Sequence, residues 1–365
     1  MSKKKKKAIR TIMIIILVIA LILAGWFIVK IHQLNKIPDM QVSDVIDYMT
    51  ADDDEVKISI AIIKDDEITY QVYGKDGIQL KDTNYDYEIG SISKTFTALL
   101  LARAIDEGKV DLQDSISKYL DLEEGKYYPT IERLVTHTSG YKGYYFEKQM
   151  IGNKLIGRND FYSISKEQIL SSVMEENLED KDYEFKYSNF GFAVLGLVLE
   201  EVYAEDYCEL VEDLNNDELK LKNTKVAEGE ENLEGYWEWQ EDDGYIPAGA
   251  LISNIEDMGV YLKFCMEDET SHSISPYHPL KNINATTAMY EKMSLHLDQI
   301  GLAWIIDEQN NIIWHNGGTD KFNSYIAFDE ERETGVVVLG NLSPSKKIPM
   351  TVLGEKIMAE LKNAK

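Results

Sequence analysis

The stretch from Tyr87 to Gly108, YEIGSISKTFTALLLARAIDEG, constrains this chain more than any other. From Phe96 to Ile105 it is apolar on nearly every face, so a helix there must be buried on most sides rather than lie on a surface. Gly90 permits a tight turn before the helix, and Gly108 ends it. Ser91 then falls in the first helical turn, where unpaired backbone N–H groups and the dipole favour negative charge. Lys94 follows three residues later on the same face, which brings an amine to a hydroxyl. A serine with a base beside it is an activated nucleophile.

The Ser-x-x-Lys spacing is weak evidence by itself, because it recurs at Ser115–Lys118, Ser163–Lys166 and Ser343–Lys346. The first two sit among charged residues and the third has Pro344 inside it. Only Ser91 has a glycine before it and a buried helix after it, a setting that holds a nucleophile rigidly. Lys118, Lys166 and Lys346 are therefore read as surface residues.

Residues 1–30 hold seven basic groups and no acidic one, and Thr11 to Val29 is a run of nineteen uncharged, mostly apolar residues. As a helix that run is about 28 Å long, enough to cross a hydrocarbon core. Its length and the missing small-x-small site favour an uncleaved anchor over a signal peptide. The lysines keep the N-terminus cytoplasmic and the remainder outside. Without these seven charges the net charge goes from −26 to −33. Such a surface repels nucleic acid and other polyanions. Two cysteines, Cys208 and Cys265, are too few for a disulfide framework.

Residues 31–54 read as a stalk and a leading helix ended by Asp53 and Asp54, and residues 55–365 as one large domain. Val56–Ile63 and Ile68–Tyr73 alternate as the two strands of a hairpin. The pattern returns at Ile312–His315, Ser324–Phe328 and Gly335–Leu339, followed by a helix from about Ile348 to Leu361. Strands at both ends with helices between predict an α+β fold: an antiparallel sheet built from the two termini, flanked by helices, with a helical lobe inserted at about 110–245. Gly140–Tyr162, rich in tyrosine, is either a lid or an ordered surface loop. Val226–Tyr245 carries eight acids, no Lys or Arg, and Trp237 and Trp239, and reads as a solvated acidic loop.

Two further motifs supply chemistry. Tyr187-Ser188-Asn189 opens a second buried helix and is the only Tyr-x-Asn in the chain. A phenol beside an amine exchanges protons with it, and an asparagine side chain holds a substrate amide. His315-Asn316-Gly317-Gly318 closes a strand and contains the only His-x-Gly. Its glycines let a substrate lie along the strand, and the Gly318 N–H is a candidate second oxyanion donor beside that of Ser91. Taken singly, either motif reads as an ordinary helix entry or strand end.

Together and in this order, Ser91-x-x-Lys94, Tyr187-x-Asn189 and His315-x-Gly317 resemble the serine β-lactamases and penicillin-binding proteins, in particular class C β-lactamases, D-alanyl-D-alanine carboxypeptidases and related esterases. The resemblance runs from about Ile58 to Leu361. It includes Leu134–Gly140, Leu221–Thr224, Pro247–Leu251 and Gly301–Trp304. It implies an active site between sheet and lobe, Ser91 as nucleophile, Lys94 and Tyr187 sharing the proton, and Asn189, His315 and Gly317 at the substrate. His137 looks like part of a structural turn in that family. His272 and His278 lack metal-ligand spacing, and no metal or cofactor is expected. Many members carry Lys-Thr-Gly where this chain has His315-Asn316-Gly317, and a histidine is mostly neutral at pH 7. The expectation is thus an extracytoplasmic, membrane-anchored acyl hydrolase of cell-envelope donors such as peptidoglycan peptides or D-alanylated polymers, with D-amino-acyl esters or amides favoured. A β-lactamase and a penicillin-binding sensor without turnover are the alternatives.

Overall fold

The two alternating segments near residue 60 form a hairpin, β1 (Ile58–Lys64) and β2 (Glu67–Tyr73), joined through Asp65 and Asp66, both at positive φ. This computed structural model describes residues 36–227, 232–267, 274–345 and 347–363. β3 (Gln79–Leu80) pairs with β2, and a small second sheet is made from β4 (Tyr87–Glu88), β5 (Lys225–Val226) and β6 (Leu251–Ser253). The C-terminal third supplies β7 (Lys281–Asn282), β8 (Gln299–Ile300), β9 (Ile305–Asp307), β10 (Ile312–Gly318), β11 (Asn323–Asp329) and β12 (Thr334–Gly340). Among the described residues the main sheet has nine strands in the order β3-β2-β1-β12-β11-β10-β9-β8-β7. β1 pairs with β12, so the two ends of the domain meet inside one antiparallel sheet, as the sequence pattern requires.

The period of two sorts side chains between two cores. Ala61, Ile63, Ile326, Phe328, Val337 and Leu339 face the helical lobe. Ile58, Ile60, Tyr325, Ala327, Val336 and Val338 face the opposite layer, where α1 (Val42–Thr50) lies against the C-terminal helix. The lobe side contains α2 (Ser93–Asp106), which is apolar all round and buried along most of its length, and α3 (Asn189–Tyr203), equally buried. α4 (Ile255–Glu267) packs over β1 and β12 and stacks Tyr261 on Phe96 at 4.2 Å. α5 (Met350–Asn363) covers the other face.

Two helix ends differ from expectation. α1 stops at Thr50, not at Asp53 and Asp54: the Thr50 hydroxyl donates to Ile46 O and accepts from Gly77 N–H, and the chain then reverses through Asp52 at positive φ. α5 begins at Met350, because Pro349 precedes its first turn and its carbonyl accepts from Val352. Among the described residues no helix is long and apolar enough to cross a membrane, and the anchor expected at residues 11–29 lies outside them. Cys208 and Cys265 are both free thiols.

On the inner face of α5, Glu355 is almost wholly buried beside Tyr325. Desolvation first, then the Asp307 charge, push its carboxyl up to about 8. An acid whose folded pKa lies above its unfolded value contributes fully below the unfolded pKa, near 4.5. It costs stability as pH rises toward the folded value. Thermal unfolding should therefore show stability falling between pH 5 and 8, by on the order of a few kcal/mol for this group. Glu355→Gln should flatten that slope. An unchanged slope in the variant would assign it to other groups.

Candidate active site

Each catalytic candidate sits where a regular element begins or ends. Ser91 lies in a 3-10 turn, Gly90–Ile92, which runs directly into α2. The turn is fixed by side chains: Ser93 Oγ donates to Gly90 O at 2.7 Å and accepts from Leu251 N–H at 3.1 Å. Gly90 has φ +51°, and a Cβ there would stand 2.6 Å from the Gly318 nitrogen. A Cβ on Gly317 would stand 1.9 Å from the Ile89 carbonyl oxygen, which accepts from Ser324 Oγ at 2.7 Å. These two glycines let the Ser91 turn and the end of β10 approach to backbone contact, which places Gly318 beside Ser91.

Lys94, one residue past the start of α2, is fully buried. Its Nζ stands 3.1 Å from Ser91 Oγ, 2.8 Å from Asn189 Oδ1 and 2.5 Å from Ala248 O. Burial holds its pKa well below the usual lysine range. A neutral amine has two N–H donors and one lone pair. The Asn189 and Ala248 oxygens can only accept, so they take the two hydrogens and leave the lone pair for the Ser91 O–H.

Tyr187 precedes α3, whose N-cap, Ser188, accepts from Gly191 N–H at 2.9 Å. Its hydroxyl is hydrogen-bonded to Ser91. Desolvation raises the phenol pKa above its ordinary 10, with the Ser91 hydrogen bond opposing, although 38 % of the residue is open to the cleft. The Tyr187 phenol therefore keeps its proton at neutral pH. His137 holds this segment from behind: it has φ +57°, its Nδ1 accepts from Ser188 N–H at 3.1 Å, its carbonyl accepts from Lys186 N–H, and its ring lies 4.5 Å from that of Tyr187. That is the structural turn expected of it.

His315 lies on the lobe-facing side of β10. Its Nδ1 is 2.7 Å from the Asn316 carbonyl oxygen, so Nδ1 donates and Nε2 carries no proton. Desolvation, then the neighbouring Lys94, bring its pKa down to about 3. Burial thus favours the neutral imidazole of His315.

Ser91 stands between two hollows. The larger, about 510 Å³, is bordered by Tyr187, His315, Gly318, Phe185, Tyr290 and Trp314 among others, and none of its described lining residues is Asp, Glu, Lys or Arg. The smaller, about 50 Å³, is walled by Phe161, Trp237, Trp239 and Tyr245, with Asn189 and Gly318 at its edge. Phe161 stacks on Tyr245 at 4.3 Å and meets Trp237 edge-on at 6.2 Å.

The tryptophans correct the reading of 226–245 as a merely solvated loop. Glu234, Glu238, Glu241 and Asp242 do face water, but Trp237 and Trp239 are half-buried beside Ser91. Buried Glu88 ties the loop down, accepting from Trp237 N–H and from the Thr319 hydroxyl just beyond β10. Tyr236 adds a hydrogen bond to Asp86 O at 2.6 Å. The sequence signal was two tryptophans with Leu233, Tyr236 and Tyr245 in the same tract, outweighed by eight charges. The segment 140–162 likewise contains a helix, Lys148–Ile156, and delivers Phe161 to the site.

The competing tetrads are elsewhere. Lys118 is exposed and paired with Asp114. Lys166 is not the surface residue expected: it is half-buried between Glu200 at 2.7 Å and Asp206 at 2.5 Å, with Ser163 bonded to Gln240 instead. Lys346 and His272 lie outside the described residues, and no group of ligating side chains among the described ones could hold a metal ion.

The β-lactamase family model matches residues 42–351. Protein flp of Staphylococcus aureus (strain MW2) is 24% identical over 318 residues, which is 80% of this chain and 61% of that one. The chain thus spans about three fifths of the curated relatives it matches first. Among solved structures, the β-lactamase/D-alanine carboxypeptidase from Yersinia pestis superposes with a TM-score of 0.68 at 20% identity, covering 90% of this chain and 98% of that one. A D-stereospecific amidohydrolase from Streptomyces sp. gives 0.67 at 19%, covering 89% and 98%. These structural likenesses establish a common fold.

Proposed function

The chain belongs to the β-lactamase family, and from that premise we propose that it is a serine acyl hydrolase that works through an acyl-enzyme on D-amino-acyl esters or amides of the cell envelope, held outside the cell by the apolar run at residues 11–29. The observation that carries the reading is the environment of Lys94. A buried amine with a depressed pKa has its two hydrogens taken by carbonyl oxygens and its lone pair directed at Ser91, which is the arrangement of a general base. Ser91 attacks the acyl carbon as its proton passes to Lys94. The Ser91 and Gly318 N–H groups receive the oxyanion, and Tyr187 hands a proton to the leaving group. Water then repeats the sequence in reverse on the acyl-enzyme.

The two hollows favour the substrate class. A hollow of about 50 Å³ walled by four aromatic rings suits an acyl group the size of alanyl, whose ammonium is attracted to ring faces. The cavity beyond His315, whose described lining residues carry no charge, suits a neutral leaving group over one ending in a carboxylate. A carboxylate there would lack a charge-assisted partner, worth about 1.5–3 kcal/mol.

The test is kcat/KM on a D-alanyl ester of a neutral alcohol, a D-Ala-D-Ala peptide and a chromogenic cephalosporin, with Ser91→Ala as blank. The ester should lead by roughly 10- to 100-fold, the rate equivalent of that missing partner. Because His315 stays neutral, the two carboxylate substrates should not improve below pH 6. Cephalosporin turned over fastest at pH 7 would replace this reading with a β-lactamase. Acylation that never decays would replace it with a sensor, and equal turnover by Ser91→Ala would remove the nucleophile assignment.

A further inference from the structure

An apolar, basic face stands on one side of this otherwise acidic protein. The helix Lys148–Ile156 and the chain before it present Tyr144, Phe146, Ile151, Leu155 and Ile156 to solvent, with Leu155 81 % and Ile156 69 % exposed. Scattered exposed apolar groups are ordinary, but five within thirteen residues make a patch that marks an interaction surface. The same stretch, 142–158, has four basic residues and one acid, in a chain of net charge −26. Arg158 and Lys142 are paired with Glu238 and Glu176, whereas Lys148 and Lys154 have no ion-pair partner among the described residues. Exposed apolar side chains beside lysines are a combination that an anionic lipid surface takes up, through apolar contact and headgroup charge together.

The geometry points to an anionic lipid surface as the occupant: we propose that Tyr144, Phe146 and the Ile151–Leu155–Ile156 face dock into the leaflet to which the chain is anchored. This rests on the reading of residues 11–29 as an anchor. Two observations select a membrane over a protein. The apolar run of nineteen residues ends at Val29, and the described structure begins at Lys36, so at most about 25 Å of extended chain separates bilayer from domain. The face also carries positive charge, complementary to anionic headgroups, while the rest of the domain is repelled by them. Docking has a consequence for the site, because Tyr144 packs edge-on against Phe161 at 6.2 Å and Phe161 walls the small hollow beside Ser91. The catalytic mouth would then open at the headgroup layer, where acyl donors held on lipids reside.

The full chain, carrying Leu155→Cys in a Cys208→Ser background and labelled with an environment-sensitive nitrobenzoxadiazole, is reconstituted in vesicles of phosphatidylcholine with or without phosphatidylglycerol. Cys265 is buried and should not label. The expected result is a blue-shifted emission quenched by nitroxide lipids, stronger with phosphatidylglycerol and reduced by salt or by the double change Lys148→Glu and Lys154→Glu. Ser91→Ala should leave it unaltered, so the outcome does not depend on the hydrolase reading. Aqueous emission in both vesicles would overturn the proposal. So would a blue shift that persists in detergent, grows with protein concentration and resists nitroxide lipids, since it would assign the face to a second copy or a protein partner.

Discussion

Lys94→Ala should lower the rate of Ser91 acylation by at least about 10⁴-fold, the scale seen when the base of a serine nucleophile is removed. The variant loses the acceptor for the serine proton and also leaves two buried oxygens, Asn189 Oδ1 and Ala248 O, without their donor. Such losses cost roughly 1–3 kcal/mol of stability each, whereas a 10⁴-fold rate change is about 5.5 kcal/mol of barrier. Melting temperature and fluorophosphonate labelling rate, measured on the same sample, therefore separate the two effects. Lys118→Ala, at an exposed lysine paired with Asp114, should label within about twofold of the parent. In the parent, the rate should fall as pH drops through the depressed Lys94 pKa, because the ammonium form has no lone pair to accept the proton. A rate that increased toward low pH, or an alanine variant that labelled normally, would show that Lys94 only supports the fold.

Much of this site was readable because its members sit at element boundaries. Ser91 opens α2, Asn189 opens α3 and Gly317–Gly318 end β10, and boundaries leave marks in sequence: glycines, caps and changes of period. The sheet was readable because β1, β11 and β12 are short, largely apolar runs buried on both faces, which serve two cores at once. What could not be read were contacts that depend on where a loop comes to rest. Phe161, Trp237 and Tyr245 are brought together by the anchoring of the 232–239 segment on Glu88, a residue about 150 positions away. No local periodicity encodes that. The Ala248 carbonyl is likewise invisible, because any residue offers a backbone oxygen, and only packing aims this one at Lys94. Charge count misdirected the reading of the loop for a physical reason: Glu234, Glu238, Glu241 and Asp242 are exposed while Trp237, Trp239 and Tyr245 are partly or wholly buried, and composition averages over both.

Tyr187→Phe should cost about 10²–10⁴ in kcat/KM, the usual worth of a positioned acid–base group, and the size of the loss should depend on the leaving group. The ring is retained, so its packing against His137 at 4.5 Å and the backbone bond from Ser188 to that histidine survive. Only the hydroxyl hydrogen-bonded to Ser91 is removed. Burial keeps that hydroxyl protonated well past neutrality, which suits it to donate a proton and leaves removal of the serine proton to Lys94. Departure of an alkoxide or amine needs that proton, whereas an acidic phenol leaves without it. The variant should thus be crippled on D-alanyl alkyl esters and amides and nearly normal on an activated aryl ester. Equal losses on all three would place Tyr187 on the attack step or in simple positioning. A loss confined to the aryl ester would contradict the proton-donor role altogether. The basic limb of the parent profile provides a second check: with the phenol pKa raised above 10, activity on alkyl esters should hold up to at least that pH, and an earlier decline removed by Tyr187→Phe would mean that the phenol ionises where this environment forbids it.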